Sequence, residues 1–201
     1  FSPMLLYAQK KQLATARESL KTGKELVKAE KSMQNLLEDS VNRTNTKIWV
    51  MLCDILMKQY EQGNEKLYLK QQYDTAAFFS VTKRMYETMA KFDSIDAHLN
   101  MPSPVLPKYR ERHAQFLNSI RPNLFNGGTY FLHVKDYKTA YDYFDNYIKT
   151  DKQSLFIGYD YEHKDDLMPH AAYWAMYCGY KLGDTEKTMR YLNLAERDSS
   201  M

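Results

Sequence analysis

Glycine and proline are scarce in this 201-residue chain, at seven and six copies. Few β-turns can be built from them, which favours helices joined by short connections over a strand-rich fold. Long apolar runs are missing as well. No stretch reaches the ~18 residues that a membrane-spanning helix needs, so no transmembrane span is expected. An excess of one charge is also lacking: 28 basic and 25 acidic residues are interspersed, for a net charge of +3. A nucleic-acid partner would require a concentrated basic face. The densest basic run, Lys108–Arg112, contains Glu111, opens a helix and reads as a solvated face, so no nucleic acid is expected.

Cysteine is limited to Cys53 and Cys178, each at mid-helix among apolar residues and far apart in sequence. Helices separated in that way do not bring Cα atoms within the ~7 Å of a disulfide. Both cysteines read as small buried hydrophobes, and they leave the redox compartment undecided. Catalytic signatures are absent too: no G-x-S-x-G, no glycine-rich phosphate loop, and no cysteine paired with a nearby histidine. The reading is therefore non-enzymatic, with no cofactor.

Tyrosine (17 copies) and methionine (11) are abundant. In packed helices Tyr fills grooves while its hydroxyl stays wet, and Met fills irregular gaps. Apolar residues three and four apart mark helices throughout, and more than about 60% helix is expected, well above an ordinary domain. Leu13, Ala16 and Leu20 line the first helix, which Thr22-Gly23 breaks. Leu26, Ala29, Met33 and Leu36 line the second, which ends near Asp39-Ser40. Thr44 or Asn45 caps the third, whose buried face is Ile48, Trp49, Leu52, Ile55 and Leu56. That helix runs to about Leu69, with a kink or fraying expected at Gly63-Asn64. Asp74 caps the fourth, striped by Ala77, Val81, Met85, Met89 and Phe92. Residues 100–107 carry three prolines and read as a linker, followed by a short helix over about Lys108–Ser119.

Two later segments share one layout. The first reads Leu124-x2-Gly127-Gly128-x2-Phe131, then Asp136-Tyr137, then Ala140-x3-Phe144-x2-Tyr147. The second reads Ala172-x2-Ala175-Met176, then Gly183-Asp184, then Thr188-x3-Leu192-x2-Ala195. Each is a helix, a tight polar turn and a second helix. Small residues (Gly127, Gly128, Ala140; Ala175, Ala195) suit close helix approach, and Phe131, Phe144, Tyr147 and Leu192 fill the gap to a neighbour.

This layout resembles the tetratricopeptide (TPR) pattern, a helix-turn-helix unit of about 34 residues. Trp49-x2-Leu52-Cys53-x2-Leu56 followed by Tyr73-Asp74 matches it more loosely, as an elongated variant, and Ala29-x3-Met33-x2-Leu36 fits a second helix before it. The resemblance implies an all-α fold, a right-handed superhelical array of antiparallel helix pairs. Residues 9–201 then form one repeat domain, with looser repeats at 9–99, the linker at 100–107 and clearer repeats at 122–151 and 170–198. It also implies a concave groove lined by the first helix of each repeat. Carried onto this chain, that groove is Phe125, Thr129, Leu132 and His133, then Tyr173, Tyr177, Tyr180 and Lys181. The looser repeat would add Lys47, Val50, Asp54 and Met57. An aromatic groove suits a protein or peptide partner bound by shape and ring contact. The alternative is a carbohydrate-binding or uptake-associated component of an outer-membrane system.

A third reading, a metal-dependent hydrolase, rests on Asp160, Glu162, His163, Asp165, Asp166 and His170. The histidines lie seven apart rather than at the helical zinc spacing, and Lys164 stands where calcium needs an oxygen, so a solvated loop is preferred and no metal is expected. Residues 1–8, apolar and ending in Ala8 before a polar stretch from Gln9, read either as a signal-peptide remnant or as the first turn of helix one. The former implies an exported, periplasmic or envelope-associated protein, with membrane association through an envelope complex. The latter leaves it cytoplasmic.

Overall fold

An apolar stripe on a helix must be covered by a neighbour, so a chain of such stripes folds by pairing helices. The structure, a computed structural model, describes residues 3–99 and 106–198. It is all-helical, at 79% helix, with no strand among the described residues. The chain divides into two compact units, Phe1–Lys108 and Tyr109–Met201. The division falls at the end of the proline-rich segment, of which residues 100–105 lie outside the described residues.

The first unit holds α1 (Pro3–Thr22), α2 (Leu26–Glu38), α3 (Thr46–Tyr68) and α4 (Thr75–Leu99). Helix α3 packs against each of the other three. Its expected apolar face, Ile48 to Leu56, is buried, and the Asn45 side chain caps it by accepting the Lys47 N–H. Asp74 accepts the Ala76 N–H at 3.0 Å at the start of α4. Contrary to the expected weak point, α3 runs unbroken through Gly63. A Cβ there would lie 2.8 Å from the Tyr73 ring, so the glycine makes room for an aromatic group on the following loop. Residues 3–8 form the first turns of α1, with Met4, Leu5, Leu6 and Tyr7 exposed. One buried carboxylate ties three helices together. Glu30 on α2 accepts from Arg84 Nε on α4 at 2.7 Å, from Gln59 on α3 at 2.7 Å and from Gln34 at 3.2 Å.

The second unit holds α5 (Arg110–Ile120), α6 (Pro122–His133) and α7 (Tyr137–Lys149), then α8 (Tyr161–Lys164), α9 (Leu167–Lys181), α10 (Thr185–Met189) and α11 (Leu192–Ala195). Helix α7 packs against both α6 and α9, while α10 and α11 fold back on α9. The two hairpin turns are built alike. Lys135 and Gly183 adopt left-handed backbone at φ 61° and 66°. The amides that follow, Asp136 and Asp184, bond back to Phe131 and Gly179 carbonyls at 2.9 and 3.0 Å. The same aspartates then cap the next helix, accepting the Thr139 and Lys187 N–H groups. This is a six-residue helix-end closure joined directly to an N-cap.

Small residues sit where the helices meet. A Cβ on Gly128 would fall 2.7 Å from the Phe144 ring, and one on Gly179 only 2.5 Å from the Thr188 backbone nitrogen. The single second helix expected from Thr188, Leu192 and Ala195 is instead broken at Arg190-Tyr191 into α10 and α11. The Tyr191 hydroxyl there donates to buried Asp145 on α7.

The stretch between the two hairpins, 150–166, is anchored by a few buried side chains, while Asp160, His163 and Asp166 of the acidic and histidine cluster are exposed, as a solvated loop requires. Two 3-10 turns, Thr150–Lys152 and Ser154–Phe156, bury Leu155 and Phe156, and α8 buries Tyr161. Arg121, between α5 and α6, holds this stretch down. It donates to Thr150 Oγ1 and the Tyr147 carbonyl at 3.1 Å each, and to Asp165. Its guanidinium lies between the Tyr147 and Tyr161 rings, 3.8 and 3.7 Å from their centroids. Burial pushes both phenol pKa values up, only partly offset by Arg121.

Candidate functional site

Helices α6 and α9 flank a groove of about 490 Å³ in the second unit. Phe125, Thr129, Leu132 and His133 line one side, which is the α6 set expected from the sequence. Residues four apart on a helix share a face, so these positions form one strip of two turns. On the α9 side Tyr177 lines the groove, as expected, together with His170 and Trp174. Tyr173, Tyr180 and Lys181 do not. Tyr173 packs its ring against Trp174 and His170, at centroid distances of 5.0 and 6.5 Å. Tyr180 points to solvent at 71% exposure. Lys181 sits just outside, with its ammonium 5.4 Å from the Tyr177 ring centroid.

Tyr137 and Lys135 complete the lining, neither of them anticipated. A signal for Trp174 was present: His170, Trp174 and Tyr177 are spaced four and three, the stripe next to Tyr173, Tyr177 and Tyr180. Ring contacts bridge to α9 at two points, from α6 and from the first residue of α7. The Phe125 and His170 rings stack at 5.8 Å near one end, and Tyr137 meets Tyr177 edge-on at 6.2 Å near the other. The first-unit positions Val50, Asp54 and Met57 are half-buried and Lys47 is exposed.

The groove floor is stiffened by one hydrogen-bonded chain. Trp174 Nε1 lies 3.0 Å from His170 Nε2, and His170 Nδ1 lies 2.7 Å from Asp198 Oδ2. An indole N–H only donates, so Nε2 accepts and Nδ1 carries the proton toward Asp198. The pair has the outward form of a catalytic dyad. Its remaining nitrogen is engaged by Trp174. His133 bonds the Thr129 carbonyl at 2.7 Å through Nδ1, as a donor.

The acidic and histidine cluster at 160–170 is dispersed. Asp165 faces Arg121 and accepts from the Tyr147 hydroxyl at 2.5 Å, while its other oxygen accepts the Leu167 N–H at 2.9 Å at the start of α9. Glu162 pairs with Lys152 at 2.7 Å, which holds its carboxyl below the usual range, and with Arg197 at 3.2 Å. Asp160 beside exposed His163 raises that imidazole's pKa. Among the described residues no three His, Cys, Asp or Glu side chains are grouped as a metal site requires. Both cysteines are buried thiols, and burial pushes Cys178 up to about 12. No helix among the described residues is long and apolar enough to cross a membrane.

The chain matches no protein-family model, no curated protein and no solved structure.

Proposed function

We propose that α6–α7 and α9 with α10–α11 are tetratricopeptide-type repeats of a right-handed superhelical array, and that the groove between their first helices binds a protein partner. The observation that carries this reading is the convergence of Phe125, Thr129, Leu132, His133 and Tyr177 on one aromatic groove between α6 and α9. The groove's Phe, Tyr and Trp rings are half-buried, and a concave, partly exposed aromatic strip is where partners dock. The function is then non-enzymatic: a scaffold holds a peptide segment by shape and ring contact. Sugar recognition is the weaker reading, because rings in sugar sites work alongside carboxylate or amide groups that bond the hydroxyls. The described groove lining includes no Asp, Glu, Asn or Gln.

Selection from a displayed library of random peptides tests this. Binders should lose about tenfold or more in affinity against Tyr177→Ala, the scale of an aromatic anchor, while far-UV circular dichroism stays unchanged. Selected peptides that bind Tyr177→Ala and Trp174→Ala as well as the parent would remove the groove from consideration. Stabilisation by neutral polysaccharides with no peptide selected would favour the sugar reading.

A further inference from the structure

We propose that the segment taken by the groove is acidic at one end: an apolar peptide of about two helical turns whose carboxylates lie over Lys135 and Lys181. The inference rests on the groove reading above and adds the partner's chemistry to it.

The groove is polarised along its length. Its Phe125 end is aromatic, with the Phe125 and His170 rings stacked at 5.8 Å. The opposite end, where Tyr137 meets Tyr177, is basic. Lys135 lines the groove two residues before Tyr137, and the Lys181 ammonium lies 5.4 Å from the Tyr177 ring centroid. Of the other cations of this unit, Lys138 and Lys164 are not in the groove lining and four more are held in ion pairs. Lys149 pairs with Asp145 at 2.5 Å, Lys152 with Glu162 at 2.7 Å, Lys187 with Asp184 at 3.3 Å and Arg190 with Glu186 at 2.5 Å. Among the described residues neither Lys135 nor Lys181 stands in an ion pair.

Both lysines lie at helix C-termini, where a cation also suits the helix dipole. That effect stabilises the fold and is indifferent to a ligand's charge, so the two roles separate experimentally. Phe125 and His133 lie eight positions apart, about 12 Å at helical rise, which sets the segment length. A groove with Lys135 in its lining, Lys181 just beyond its Tyr177 end and no carboxylate in its described lining selects against a basic segment and for an acidic one.

The probes are three fluorescein-labelled peptides with the same leucine and tryptophan anchors, ending in a pair of Glu, Gln or Lys. The Glu peptide should bind about three- to tenfold more tightly than the Gln twin at low salt, the Lys peptide more weakly, and the Glu advantage should shrink as ionic strength rises. The double variant Lys135→Gln/Lys181→Gln should reduce the Glu peptide to the Gln level and leave the Gln peptide unchanged. Glu and Gln peptides that bind equally, both weakened by Tyr177→Ala, would overturn the charge inference and leave the groove reading standing. Peptides insensitive to both Tyr177→Ala and Trp174→Ala would overturn the two together. Lysine-dependent binding of a polyuronate with none of the three peptides bound would replace the peptide by an acidic polysaccharide.

Discussion

Glu30 in the first unit and Arg121 in the second are both nearly sealed from water, at 5% and 4% exposure, and both tie together segments distant in sequence. Their surroundings differ. Glu30 is met by two glutamine amides and by Arg84, whose side chain is still 32% exposed and can turn to solvent. Arg121 is enclosed by two tyrosine rings, and its partner Asp165 is only 17% exposed. A buried charge held by mobile polar groups can lose a partner and recover with water. One walled in by rings cannot, so the second unit depends more heavily on a single side chain.

Truncating each charge sharpens that contrast most. Arg121→Ala should cost about 3–5 kcal/mol, because it takes the counter-charge from Asp165 and removes the cation between two rings. Glu30→Ala should cost about 1–3 kcal/mol, since Arg84 regains solvent. Chemical denaturation followed by hydrogen exchange would assign each loss to its unit. Equal losses would dissolve the distinction.

Packing offers the next test. Gly179→Ala should destabilise the second unit by about 1–3 kcal/mol, because the new Cβ meets Thr188 backbone rather than a side-chain tip. Gly63→Ala in the first unit meets only the Tyr73 ring, which can swing, and should cost less. A reversed order of thermal midpoints would show that the α9–α10 contact is softer than drawn.

Alkaline pH separates the two charge sites in a third way. Tyr147 and Tyr161 have raised pKa values in the folded unit, so their stabilising contribution is fully present below the ordinary 10.0 and is lost as pH rises through the folded values. The side chains that meet Glu30 are Arg84, Gln59 and Gln34, none a phenol or thiol. Amides around α8 should therefore lose protection above about pH 10 before those around Glu30. Tyrosinate absorbance followed alongside exchange would check the order.

The smallest expected effect is a gain. Lys135 holds a left-handed backbone that its counterpart Gly183 adopts without strain. Lys135→Gly should raise stability by up to about 1 kcal/mol, read as a small rise in melting temperature, while Gly183→Ala should lower it.

Much of the helical framework is legible because its causes are local. Asn45, Asp74, Asp136 and Asp184 cap helices for reasons contained within four residues, and Gly183 closes α9 by its own backbone freedom. The α6 side of the groove is the set that the repeat resemblance implied, and its four positions share one helix face. What escapes sequence reading is long-range. Arg121 finds Thr150 and Asp165 across 29 and 44 residues. Tyr191 breaks its helix beside an aspartate 46 residues earlier. The sequence reading placed the close contact of α9 at Ala175 and missed Gly179, because only the docked position of α10 reveals which small residue meets backbone. On α9 two adjacent stripes are aromatic, and periodicity alone does not decide which one faces α6.

The paired turns bear on how the second unit comes into being. The α6–α7 hairpin closes through bonds between near neighbours, so it forms as soon as both helices clear the ribosome. Helix α7, however, is also covered by α9, and α9 is complete only after a further 32 residues, from 150 to 181. At about 5–20 residues per second, that face of the nascent hairpin waits about 2–6 seconds for its cover. For that interval the newborn chain presents unburied aromatic surface, the face where chaperone capture or misassociation during synthesis is to be expected.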